Sequence, residues 1–183
     1  MPQPATPPLP ARTPETQEKP TGFIRKPGDG WVECGCGARH WGLNGAAGLF
    51  LIRRASTGEP AAVALQHRAL WSHHGGTWAV PGGAIMDGES AQDAALRESF
   101  EEAGVLPNTV RVIGQHVLTH PDWSYTTIVA QQVVDQELSP TDNESLEISW
   151  VAIADLGSPE YPLLDAFEAA LPSLLEIAQN DRP

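Results

Sequence analysis

Cysteine is almost missing from this chain: Cys34 and Cys36 are the only two in 183 residues. With one residue between them they would close a strained bridge, so the fold is not a disulfide scaffold. Long apolar runs are missing too. The longest, GAAGLFLI, has strand length and falls well short of the ~20 residues of a membrane-spanning helix. Basic residues are scarce, 11 Lys and Arg against 23 Asp and Glu, and they form no patch or stripe. The resulting net charge of −12 argues against binding a nucleic-acid polymer. It also opposes an anionic small substrate unless cations intervene. The N-terminus lacks the charged-then-apolar pattern of a secretory signal, which makes the cytoplasm the expected compartment, with no membrane partner.

What is present fits one globular domain with appendages, as a monomer or a homodimer. Seven of the first 20 residues are proline, so 1–20 is expected to be a disordered tail. Residues 21–43 read as a β-hairpin extension, with WVEC and RHWGL flanking the cysteines. Cys34, Cys36 and His40 form C-x-C-x3-H, one ligand short of the four that structural zinc takes. An ordinary hairpin tip bounded by Gly35 and Gly37 is the favoured reading, and the role of this hairpin stays open. Residues 44–178 read as the main domain and 179–183 as a short tail. Within the domain, strands are expected at 45–54, 61–68, TWAV, TVRVIGQHVLTH, YTTIVAQQVV and 146–153. One central helix follows a glycine-rich loop, and a closing apolar helix is interrupted by Pro172. This order suggests an α/β fold of α+β type, a mixed sheet between helices, and not a doubly wound parallel sheet.

The central helix poses a problem. RESFEEAG places Glu98, Glu101 and Glu102 on an arc roughly 100° wide, beside the face of Ala95, Ser99 and Ala103. Like charges at this spacing repel, by roughly 0.2–0.5 kcal/mol per pair. A solvated acidic face is the ordinary reading of such a cluster. The neighbourhood favours another. Gly82 and Gly83 directly follow a strand, where bare backbone can approach a ligand. Arg97 stands where it could fork onto Glu89. Oxygen-only ligands beside a cleft select hard cations, Mg²⁺ first and Mn²⁺ as substitute.

Written out, Gly83, Glu89, Arg97, Glu98, Glu101, Glu102 and Gly104 spell G-x5-E-x7-R-E-x-x-E-E-x-G. This string resembles the signature of the Nudix hydrolases at every fixed position over 22 residues, and Val105 matches the hydrophobic position after it. Ser99 departs from the aliphatic residue usual there, but no acid is lost. A hydroxyl at that place could bond to the carbonyl four residues back.

The resemblance implies a Nudix-like α/β/α sandwich and metal-dependent hydrolysis of a pyrophosphate bond in a nucleoside diphosphate-linked substrate. By the same resemblance, Glu98, Glu101 and Glu102 would be metal ligands, with the carbonyl of Gly83 or Gly82 as an extra one. Glu89 and Arg97 would hold loop and helix together. Glu101, Glu144 or Glu147 would be the base, Glu144 and Glu147 being alternatively extra ligands. Arg68 resembles a phosphate contact, and Asp122 could accept a hydrogen bond from a base. The expected substrate is a nucleoside triphosphate, oxidised purines included, cleaved to monophosphate and pyrophosphate. Pro121, 16 residues past Val105, resembles a marker of ADP-ribose hydrolases, so ADP-ribose or a nucleotide sugar is the alternative. A catalytically silent nucleotide-binding module is the alternative from another class.

Overall fold

AAGLFLI, the buried run, occupies the middle of the sheet, covered on both faces. In a strand, successive side chains point to opposite faces, so a continuous apolar run requires cover on each. The computed structural model describes residues 25–181. The expected tail 1–20, residues 21–24 of the extension and residues 182–183 lie outside the described residues.

Strands β1 (Trp31–Glu33) and β2 (Arg39–Trp41) form a separate two-stranded sheet. The main sheet contains β3 (Ala46–Arg54), β4 (Pro60–Arg68), β5 (Trp78–Ala79), β6 (Gly82–Ala84), β7 (Val110–Thr119), β8 (Ser124–Gln132) and β9 (Ser145–Ala152). Helix α1 spans Ala91–Ala103 and α2 spans Asp165–Asn180. The sheet is mixed: β3 runs parallel to β8, with Ala46 opposite Tyr125, and the other pairings are antiparallel.

Leu49 and Leu51 on β3 pack with Ala94, Ala95 and Ala103 of α1. Phe50 and Ile52 pack on the other face with Phe167, Leu174 and Ala178 of α2. Alternation on one strand thus assigns one core to each helix. Each of these fully buried large side chains contributes about 1.5–3 kcal/mol relative to exposure.

Pro172 does not interrupt α2, contrary to expectation. Pro172 is exposed, so the carbonyl that loses its proline partner can turn to water instead of breaking the helix. Order also runs past the expected boundary at 178. Arg54 donates from Nη2 to the carbonyls of Ala178 (3.0 Å) and Asp181 (2.7 Å), and the Asp181 carboxylate pairs with Arg111 at 2.6 Å. These cations satisfy the negative end of the helix.

A split in the sheet positions the site. β3 and β4 pair only around Ile52–Arg54, and the segment 78–84 fills the gap beyond, with β5 on β4 and β6 on β3. The Gly82–Gly83 backbone therefore comes to lie beneath α1.

Candidate active site

Local signals set the limits of α1. Ser90 is the N-cap, its hydroxyl accepting from the Asp93 N–H at 3.1 Å. Gly104 ends the helix at φ 72°, with the N–H groups of Gly104 and Val105 donating to the carbonyls of Phe100 and Ser99. Ser99 is fully buried and donates to the Ala95 carbonyl at 2.6 Å, the bond expected of a hydroxyl on this face.

Helix and glycine loop meet without a side chain between them. A Cβ on Gly83 would lie 2.7–3.0 Å from the Glu98 carboxyl group and would displace it, so glycine lets the carboxylate sit against the loop. Gly82 donates its N–H to Glu102 at 2.9 Å. Arg97 completes the junction. It forks onto Glu89 through Nε (2.7 Å) and Nη2 (2.8 Å), and Nη2 also reaches the Ala84 carbonyl at 3.1 Å. Glu89 in turn accepts the Met86 N–H at 2.9 Å. Hydrogen bonds from Arg97 hold the Glu89 carboxyl below the usual carboxylate range despite partial burial.

Glu98 and Glu102 are buried, 8% and 4% exposed. Burial pushes the Glu98 carboxyl above its ordinary value and outweighs the pairing with Arg97. Glu102 is pushed well above 4.5, by burial first and by the charges of Glu98 and Asp142 next. Glu101 is more open and turns towards Lys26, which bonds to it and stands 3.8 Å from Glu98. Burial lowers the affinity of the Lys26 amine for its proton, but bonding to Glu101 and the charge of Glu98 reverse this, and the amine ends above 10.5. Arg97 also pairs with Glu98 and lies 3.4 Å from Glu101.

A second group of acids comes to α1 from the loop before β9. Thr141 donates its N–H to the Glu102 carbonyl at 3.1 Å and its hydroxyl to the Glu101 carbonyl. The loop therefore caps the helix end and brings Asp142 and Glu144 into the field of Glu102. The Glu144 carbonyl accepts the Ala69 N–H at 2.8 Å, which fixes Glu144 beside the end of β4. Burial and the charge of Asp142 raise the Glu144 carboxyl, and Arg68 partly offsets them. Arg68 itself donates to the His73 carbonyl at 3.1 and 3.2 Å.

The structure brings Gly83, Glu89, Arg97, Glu98, Glu101, Glu102, Glu144 and Arg68 together. Glu147 it does not. Glu147 is exposed, bonds to Ser149 and lies in the field of Tyr161, which packs on the α2 side. Its neighbour Ile148 packs on the α1 side, and strand alternation sends Glu147 the other way. Asp122 is engaged elsewhere, its carboxylate accepting the Gly35 N–H at 2.7 Å.

Sequence reasoning missed Lys26, Asp142 and Tyr125. Lys26 and Tyr125 reach the acids through pairings distant in sequence, with no local signal. Asp142 stands in TDNESLE beside the acids that were singled out, and the acidic loop was its available signal. Tyr125 is half-buried in the field of Arg68, Glu102 and Glu98, and burial of its hydroxyl pushes its pKa up.

Two buried, adjacent carboxylates with only partial cationic cover are a costly arrangement. The donors are all oxygens: carboxylates and the backbone of the glycine loop. That set fits a hard divalent cation. Lys26, Arg97 and the Gly82 N–H each engage one of the carboxylates of Glu98, Glu101 and Glu102.

The family model of the NUDIX domain matches residues 42–173. A nucleoside triphosphate pyrophosphatase/Nudix hydrolase fusion protein of Bifidobacterium longum is 46% identical over 84% of this chain, which spans about a third (32%) of that protein's length. A putative 8-oxo-dGTP diphosphatase 3 of Mycobacterium tuberculosis is 44% identical over 80% of this chain and 69% of its own length. Among solved structures, RenU, a Nudix hydrolase from M. smegmatis, superposes with a TM-score of 0.75 at 38% identity. The match covers 85% of this chain and 98% of that one.

Proposed function

We propose, from the premise that this chain belongs to the Nudix hydrolase family, that it cleaves a nucleoside triphosphate, oxidised purines included, to monophosphate and pyrophosphate with Mg²⁺, residues 44–178 forming the hydrolase unit. The observation that carries this reading is the burial of Glu98 and Glu102 against the glycine loop, where anions persist only if a cation joins them. The choice of substrate follows the name of the M. tuberculosis relative.

Glu98, Glu101 and Glu102, with the carbonyl of Gly83, would hold Mg²⁺, and Mn²⁺ would substitute. When bound, the metal neutralises the charge of the diphosphate and makes water more acidic. The chain's own residues do the rest. Arg97 and Glu89 keep the loop and α1 in register, so the acids are in place before substrate arrives. Glu144 is the base we favour over Glu101. Burial and Asp142 raise its proton affinity, as suits a group taking a proton from attacking water near neutral pH. Arg68, whose charge acts on Glu144, would meet the phosphates and offset charge left on the base.

A nucleotide panel incubated with Mg²⁺ tests the reading. A triphosphate should yield monophosphate and pyrophosphate in a single cleavage. Cleavage of ADP-ribose or a nucleotide sugar in preference to every triphosphate would reassign the substrate. Tight nucleotide binding without turnover would leave only the silent module.

Lys26 competes with metal for Glu98 and Glu101. Lys26→Met should lower the Mg²⁺ concentration for half-maximal activity by roughly fivefold at low salt, and less at high salt. Metal titrations at two ionic strengths check this. An unchanged midpoint would show that the amine withdraws at no cost.

A further inference from the structure

The β1–β2 hairpin carries a second constellation away from the glutamates. The Cys34 and Cys36 sulphurs and a His40 ring nitrogen all lie within 4.8 Å of one another, with Cys36 Sγ 3.2 Å from His40 Nε2. In a tetrahedral zinc site two sulphurs stand about 3.8 Å apart, and a sulphur and a nitrogen about 3.6 Å apart. The observed spacings lie within about 1.2 Å of that geometry.

We propose that Cys34, Cys36 and His40 form a zinc site, separate from the hydrolytic centre, with His120 or water as fourth ligand.

The surroundings are built for this. Gly37, at φ 87°, turns the chain so that its N–H meets the Cys34 carbonyl at 2.9 Å and both sulphurs reach one side. His40 stacks on Trp123 (centroids 4.5 Å apart, planes at 11°), and the His120 ring lies 4.3 Å from it. His40 is thus oriented before any ion arrives, and the His120 ring lies beside it.

A metal would also add to what holds the hairpin. Three residue pairs make a ladder too short to be stable by itself. It is joined to the domain by the Trp31–His73 edge contact, the His40–Trp123 stack, the Gly35–Asp122 bond and a hydrogen bond from Trp123 Nε1 to the Trp41 carbonyl at 3.1 Å. A cross-link by metal is a common solution for modules with little core. With His120 as fourth ligand, zinc would fasten the hairpin tip to the β7–β8 turn. The inference goes beyond the hydrolytic reading and does not depend on it.

The test uses the full chain, purified under reducing conditions and stripped by chelator. Zinc is titrated against a chromophoric competitor, and Co²⁺ serves as the spectroscopic probe. The expected result is a thiolate-to-cobalt charge-transfer band in the near ultraviolet, displaced by zinc, that survives in Glu98→Gln. Cys36→Ser and His40→Ala should lose the band and weaken zinc binding on the order of a hundredfold or more. Cys36 is exposed, so its serine variant should keep the wild-type circular dichroism. Absence of the band in wild type, zinc affinity unchanged by Cys36→Ser, or a Cys34–Cys36 disulfide persisting in reductant would each overturn the proposal.

Discussion

Glu102→Gln should abolish turnover while making the metal-free protein more stable. Loss of kcat is expected on the order of a thousandfold, equivalent to about 4 kcal/mol of transition-state stabilisation. The stability gain follows from burial. The Glu102 carboxyl is raised well above 4.5 in the folded chain, so folding favours its protonated form. That contribution is fully present below pH 4.5 and is lost as pH rises through the folded value. At neutral pH burying Glu102 therefore costs stability, through desolvating the charge or taking up a proton, and glutamine does not. The difference in melting temperature between Glu102→Gln and wild type, without metal, should be small near pH 4.5 and grow with pH. Added Mg²⁺ should narrow it again by stabilising wild type alone. A variant that melts lower than wild type at every pH, with or without metal, would contradict this account. Turnover within a few fold of wild type would remove Glu102 from the mechanism.

Arg97→Ala should be the most destabilising single change at the site. It strips Glu89 of its forked partner, frees the Ala84 carbonyl and leaves Glu98 buried with Lys26 alone. Removing one member of a largely buried ion pair costs about 3–5 kcal/mol. For a chain of this size that lowers the melting temperature by roughly 6–20 °C. Arg97→Lys keeps the charge but cannot reproduce the fork, so it should fall between. Thermal denaturation at neutral pH decides: a shift under about 2 °C for the alanine variant would mean that the loop and α1 are joined by other contacts.

What could be read beforehand was local. Ser90, Asp93 and Gly104 delimit α1 because capping and the left-handed turn act within a few residues. The β3 run announced its burial on both faces. The long-range assembly was not legible. Nothing near Lys26 indicates that it meets Glu101, and no strand spacing says that β3 and β4 part to admit Gly82–Gly83. Glu144 and Glu147 show the same limit. Glu144 lies in the loop just before β9 and Glu147 within the strand, where alternation fixes its direction. The first joins the acids and the second turns away.

The parallel pairing of β3 with β8 has a consequence for biosynthesis. Ala46 waits for Tyr125, and Phe50 for Val129, so the middle of the sheet cannot close on the ribosome until the intervening hairpins and helix have emerged. At about 5–20 residues per second the interval lasts several seconds. Throughout it the nascent chain displays Leu49–Ile52, an uncharged β-prone stretch of the kind that holdase chaperones shield.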